Sequence, residues 1–393
     1  MMLLCLRKIS VCLLITAFLA PIVGGCRPPW ESDTVVVDVP PVDRARIRQD
    51  AVIALRQAAG DDIASTRFIA LEAIPSALGA PGGVICKQAL GDSSPEVRTA
   101  AAIGLGDLRY APAKEKLQAM VMYKVKGAEP DARVYCAVIY ALHRLGDEKH
   151  TTHLGELLFD REKEVRATVA AVMGKMRLKA AISPLKSALV DERDHDLKFE
   201  LTRALARCGD KSSLRRLEAH TRDQFVDEQI IAVRAMLELQ SPMCRAIFSS
   251  LAANDKSPRV RTAAAGGLAA LGYETPALFS YCVRAAMEPR ALMKEALGNR
   301  RKPTDKQVYF LQSLAVGALG KFKHPQAIDV VGRFLKSSDP GVRVAAAASI
   351  LETIPRPLSP EPIVMKKKIR TATQALTKPA PRRRKLHTSG AKD

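Results

Sequence analysis

Apolar residues return along this chain every three or four positions, which is the period of a helix with one buried side. The run from Asp255 to Gly272, DKSPRVRTAAAGGLAALG, shows the pattern most plainly. Val260, Ala264, Leu268 and Leu271 fall on one stripe, and the intervening alanines are small enough to let a second helix approach closely. Ser257 stands where an N-cap belongs, its side chain offering an acceptor to an orphan backbone N–H. Pro258 follows at the first helical position, where its missing N–H costs nothing. One such helix cannot bury its stripe alone.

The stripe repeats. With Arg261 as an anchor, apolar residues stand 7 and 10 positions later. The same template fits Arg67, Arg98, Tyr135, Arg166, Lys198, Gln229, Gln312 and Arg343, at successive separations of 31, 37, 31, 32, 31, 32, 51 and 31 residues. Ser94, Asp131, Asp194, Ser257 and Asp339 each lie four places before an anchor, in capping position. Shorter helical stretches such as Lys179–Leu189 and Gln326–Leu335 lie between them. A period of this size predicts stacked helix pairs, each burying its apolar face on the next. The expectation is an all-α protein, an α-solenoid of about nine stacked helix pairs over residues 42–354.

The motif D-x-x-V-R-x-x-A-A-x-x-L-G, seen from Asp92 to Leu108, in DREKEVRATVAAVMGKM (160–176) and in SSDPGVRVAAAASIL (337–351), resembles the short bacterial HEAT repeats, including those named after phycobilisome lyases. The resemblance covers roughly residues 62–354 and implies the fold far more than any activity. Tyr135, Lys198, Gln229 and Gln312 replace the usual arginine, so a polar ladder between repeats is expected to break there. Arg44–Gly60 lies too close to Arg67 for a full pair and reads as a helix capping the solenoid's first end. Two intervals exceed the period, and Lys124–Pro130 and Glu288–Lys306 are read as inserted loops.

Composition adds an address. Arg7 and Lys8 precede the apolar run Val11–Ala20, the anatomy of a signal peptide over residues 1–25. Val23-Gly24-Gly25-Cys26 resembles the lipobox of bacterial lipoproteins, which implies lipidation of Cys26 and attachment to a membrane after export. Residues 26–41, with Pro28, Pro29, Pro40 and Pro41, read as an extended tether. The formal charge is +20, and residues 355–393 hold 11 Lys/Arg against 2 Asp/Glu. That stretch lacks a helical period and is expected to be disordered. Its clusters Lys366, Lys367, Lys368 and Arg382, Arg383, Arg384, Lys385 suit polyanions: anionic lipid or envelope polymer in an exported chain, nucleic acid only in an intracellular one.

Catalytic motifs leave little trace. Cys86, Cys136, Cys208, Cys244 and Cys282 are scattered without a C-x-x-C pair and read as core thiols. His150 and His153 are the one local metal-like pair and read as a solvated turn, so neither a metal nor a cofactor is expected. A basic ridge is the better candidate: Arg144, Lys175, Arg203, Arg207 and Arg234 occupy equivalent places one turn apart on consecutive repeats, on the concave side, and are expected to face solvent. These features together point to a non-catalytic, membrane-anchored scaffold of the cell envelope that binds a protein partner of unknown identity in the solenoid groove. A bilin-lyase-like enzyme is the alternative the repeats leave open, and it predicts an apolar pocket with a carboxylate or cysteine inside the groove. An intracellular adaptor that binds nucleic acid through the tail is a third reading.

Overall fold

The computed structural model describes residues 39–122, 130–298 and 302–355. Among the described residues there are nineteen α-helices and no strand. In chain order they are α1 (Arg44–Ala59), α2 (Ala64–Leu78), α3 (Gly82–Ala89), α4 (Pro95–Leu108), α5 (Lys114–Val121) and α6 (Ala132–Arg144). There follow α7 (His153–Leu157), α8 (Lys163–Met176), α9 (Ile182–Asp191), α10 (His195–Arg207), α11 (Lys211–His220), α12 (Val226–Glu238) and α13 (Cys244–Asn254). The last six are α14 (Pro258–Ala270), α15 (Pro276–Met287), α16 (Pro289–Leu297), α17 (Asp305–Leu319), α18 (Ala327–Gly332) and α19 (Pro340–Thr353). Every anchor residue falls in one of α2, α4, α6, α8, α10, α12, α14, α17 and α19, and these nine form the inner row.

The caps work largely as the spacing predicts. Ser94 Oγ accepts the Val97 N–H, Asp194 Oδ1 the Leu197 N–H and Asp339 Oδ1 the Val342 N–H. Ser257 is the exception: it has cap backbone geometry, but its side chain accepts no cap hydrogen bond. There Asp255 Oδ1 instead takes the Ser257 N–H at 2.8 Å and turns the chain into α14.

Four anchor arginines, Arg67, Arg98, Arg166 and Arg343, tie their inner helix to the turn before it, whereas Arg261 lies over the Tyr281 ring. The guanidinium of Arg98 donates to the carbonyls of Asp92 and Ser93, Arg166 to those of Asp160 and Arg161, and Arg343 to those of Ser337 and Ser338. Arg67 and Arg166 also reach carboxylates 25 and 26 residues on, Asp92 and Glu192. Contrary to the sequence reading, the ladder does not stop at the glutamines. Gln229 Nε2 donates to Asp255 Oδ2 at 3.3 Å and Gln312 Nε2 to the Ala286 carbonyl at 2.8 Å, because an amide is long enough to make the link. Tyr135 is diverted, its hydroxyl meeting His153 Nδ1 at 2.5 Å.

Two expectations change more. α1 does not cover a free end: it packs on α19 as well as on α2, and α19 itself packs on α2. The Val42 N–H donates to Asp329 Oδ1, Arg44 to the Pro325 carbonyl and Arg48 to the Ile354 carbonyl, across 281 to 306 positions of sequence. The row of repeats therefore closes on itself within residues 39–354. Likewise Glu288–Lys306 is not simply a loop. Its first half is α16, which buries Leu292 and Met293 against the neighbouring helices. Most of Lys124–Pro130 lies outside the described residues.

The inner helices are packed by small residues. A Cβ on Gly106 of α4 would sit 2.7 Å from the Tyr140 ring of α6, and one on Gly320 would sit 2.5 Å from Ser349 of α19. One continuous core runs round almost the whole row. The joint between α10 and α12 is different. There α11 packs on both helices, and Phe199, Ala206, Leu217, Ala232 and Ala235 form a small separate core.

Candidate functional site

Closure decides where the predicted ridge lies. The ends of the inner helices meet across the middle of the ring rather than along an open groove. Lys175 Nζ reaches Asp107 of α4 at 2.8 Å, and Tyr140 donates to the same carboxylate at 2.5 Å. Arg207 pairs with Glu238 at 2.5 Å, and Arg177 reaches the other oxygen of Glu238 at 3.3 Å. Arg203 pairs with Glu200 of its own helix at 2.6 Å, and Arg144 Nε donates to the Gly106 carbonyl. Arg234 faces Glu72 of α2 from the far side of the row.

The five ridge cations share one register, as their equivalent positions predict, but only Arg234 is exposed as expected; Arg144, Lys175, Arg203 and Arg207 are half-buried and bonded to protein. Arg207 keeps only 10% of its side-chain surface and Arg203 24%. Glu72 and Arg234 are both exposed side chains, each within reach of the other's charge and of the surrounding protein. Restricted hydration raises the Glu72 pKa, while Arg234, Lys175 and Arg203 pull it down. It lowers that of Arg234, against the pull of Glu72. Glu238 is held below the ordinary glutamate value: burial is the largest single influence and opposes this, and the hydrogen bonds and charges of Arg207 and Arg177 together outweigh it. The centre is a network of paired charges. Sequence reasoning saw the cations and Asp107 because they share a register, and missed Glu72 because Arg234 lies repeats away.

The enzyme reading expects an apolar pocket inside the groove; the cavity lies elsewhere and has a mixed lining. A cavity of about 570 Å³ opens where α1 meets the segment Gly332–Lys336, at the ring's closing seam. Ile47, Ile53 and Leu335 supply apolar wall, Arg46 and Lys336 positive charge, and Asp43 and Asp50 carboxylates. Asp43 is already engaged, its Oδ1 accepting the N–H groups of Ala45 and Arg46 at the start of α1.

Cys86, Cys136, Cys208, Cys244 and Cys282 are all buried and unpaired. Burial pushes the Cys86, Cys136 and Cys282 thiols up to about 12. His150 and His153 lie with ring centres 5.7 Å apart beside Tyr135, at the short helix α7. Cys26, the tether up to residue 38, the 366–368 and 382–385 clusters and the signal segment lie outside the described residues. Among the described residues no helix is long and apolar enough to cross a membrane.

Known proteins extend this picture. Residues 124–206 match the family of HEAT repeats. The bilin biosynthesis protein MpeU of Synechococcus sp. (strain WH8020) is 26% identical over 121 residues, 31% of this chain and 40% of the relative. The chain thus spans well under half the length of that curated protein. Among solved structures, the CpcE–CpcF complex of phycocyanin lyase from Nostoc sp. PCC7120 aligns over 66% of this chain and 97% of its own, at 14% identity and a TM-score of 0.38. Human deoxyhypusine hydroxylase in complex with glycerol aligns over 68% of this chain and 97% of its own, at 18% identity and a TM-score of 0.30. The chain carries HEAT repeats and is similar to proteins of the phycobilisome-lyase type. The expectation of a non-catalytic envelope scaffold, and of no enzyme, is corrected by the MpeU match, which favours the bilin-lyase-like alternative.

Proposed function

We propose that this chain is a bilin-lyase-type HEAT-repeat protein that binds a linear tetrapyrrole and acts together with a protein partner. The observation that carries the reading is the 121-residue likeness to a bilin biosynthesis protein. The cavity at the closing seam is the seat the chemistry favours. Its volume of about 570 Å³ lies within the 300–1,000 Å³ usual for small-molecule sites. A bilin is an apolar strip of four pyrrole rings carrying two propionates. Ile47, Ile53 and Leu335 suit the rings, and Arg46 and Lys336 suit the propionates. Asp50 is an acceptor for pyrrole N–H groups. Buried thiols on the described cysteines favour non-covalent holding by this chain.

Absorption spectroscopy tests the reading, with biliverdin as probe. Titrating the full chain should sharpen and shift the long-wavelength band, with saturation near one pigment per chain. The double variant Arg46→Glu, Lys336→Glu should lose that change while keeping its helical circular dichroism. An unchanged spectrum with the unmodified chain, or one indifferent to the double variant, overturns the assignment. The lipobox-like run adds a place of work: we infer that Cys26 is acylated and holds the protein at a membrane surface. A fatty-acid label that survives Cys26→Ala would refute this.

A further inference from the structure

The polar cluster at the α10–α12 joint has the composition of a metal site. His195 opens α10, His220 ends α11, Asp223 lies in the following turn, and Glu228 is in the first turn of α12. His195 Nδ1 lies 2.8 Å from Glu228 Oε1. His220 Nδ1 lies 3.2 Å from Asp223 Oδ2 and 3.5 Å from Glu228 Oε2. Ligand atoms of His195, Asp223 and Glu228 all lie within 4.8 Å of one another. Ligands about 2.0–2.2 Å from a tetrahedral ion stand roughly 3.3–3.5 Å from each other, and the observed separations bracket that value.

Glu228 points to a cation. It is 7% exposed, and its Oε2 is buried without a hydrogen-bond donor. A buried carboxylate oxygen without a donor is costly, and a coordinated ion removes the cost. The surroundings hold the ligands in place. The Gln224 N–H donates to Asp223 Oδ1, and the edges of Phe225 and Phe199 pack on the His195 and His220 rings. His195 keeps 56% of its side-chain surface, which leaves an entry path.

We propose that His195, His220, Asp223 and Glu228 bind one borderline divalent cation of the Zn²⁺ type, which staples α10, α11 and α12 together. Two imidazoles exclude a preference for Ca²⁺ or Mg²⁺, and two carboxylates neutralise the ion's charge. The site lies beside the small separate core formed with α11, so the ion ties α11 to both of its neighbours.

The test uses full-length chain stripped with a chelator and then dialysed. Calorimetric titration with Zn²⁺ should show one site per chain, and Zn²⁺ should raise the melting temperature. Co²⁺ in its place should give visible d–d bands. His195→Asn and Glu228→Gln should each weaken binding at least tenfold and abolish the thermal shift. His195→Asn alters a largely exposed side chain, so it reads binding even if Glu228→Gln disturbs folding. His150→Asn with His153→Asn should leave both signals intact. Absence of Zn²⁺ binding overturns the proposal, and so does binding that survives His195→Asn and Glu228→Gln or is lost with the His150/His153 pair.

Discussion

The α4–α6 and α10–α12 joints occupy equivalent places in the repeat and are held by different forces. At α4–α6 the backbones come close enough for the Gly106 site to touch the Tyr140 ring and the Ala141 Cα. Val97, Ala101, Leu105, Ala137 and Ala141 are buried there in one continuous core. At α10–α12 direct contact is slight, and α11 wedges between the two helices. A 2.8 Å His195–Glu228 contact at one end and the Arg207–Glu238 ion pair at the other clamp the joint through polar groups. A repeat period sets where joints fall; the residues at each joint decide whether burial or pairing closes it. Apolar contact tolerates acid and salt, whereas charge pairing does not.

The largest expected effect comes from attacking the apolar joint. Leu105 is fully buried, so Leu105→Asp places a carboxylate in the core and should cost several kcal/mol, leaving little folded chain in a urea titration. Gly106→Val should be milder, at about 1–3 kcal/mol, since the Tyr140 ring can shift but the Ala141 Cα at 3.0 Å cannot. Unchanged melting of either variant would break the account of this joint.

Acid sharpens the comparison. Asp210 is held well below the usual aspartate range, chiefly by its hydrogen bond from Lys186. Asp194, bonded by Lys163, is also lowered, as is Glu238 despite its burial. A folded pKa below the unfolded one means stability that is complete above about pH 4–4.5 and lost as pH falls through the lower folded values. Glu72 has the opposite sign, since its raised pKa makes protonation on acidification favourable to the fold. Asp131 and Glu96 titrate beside α4 and α6 as well, but the apolar contact there survives their protonation. Hydrogen exchange below about pH 4 should therefore open α10–α12 before α4–α6. The reverse order would sink the contrast.

The smallest effect is chemical. Cys86 and Cys136, on the α4–α6 side, have thiols pushed up to about 12 by burial. Cys208 and Cys244, near the thinner joint, are raised too, but Arg207 pulls Cys208 back down. Alkylation at mildly alkaline pH, resolved by peptide mass spectrometry, should mark Cys208 before Cys86 or Cys136. Equal rates would mean the two joints open together.

Much of this was written locally in the chain. Ser94, Asp194 and Asp339 could be read as caps because a cap acts within three residues of itself. The nine inner helices follow from a period, and a period is a nearest-neighbour property. The common register of Lys175, Arg203, Arg207 and Arg234 was equally visible. Ring closure was not, because it depends on small rotations summed over nine repeats, and α1 reads the same whether it covers an end or meets α19. Closure alone brings Glu72 within reach of the Arg234 charge. It also creates the cavity between α1 and Gly332–Lys336, whose two walls are nearly a whole chain apart. His195, His220, Asp223 and Glu228 stood in the sequence without a motif, since they come from three helices and a turn. Residue spacing determines contacts within a helix and its neighbour; only the completed circuit determines which distant side chains meet.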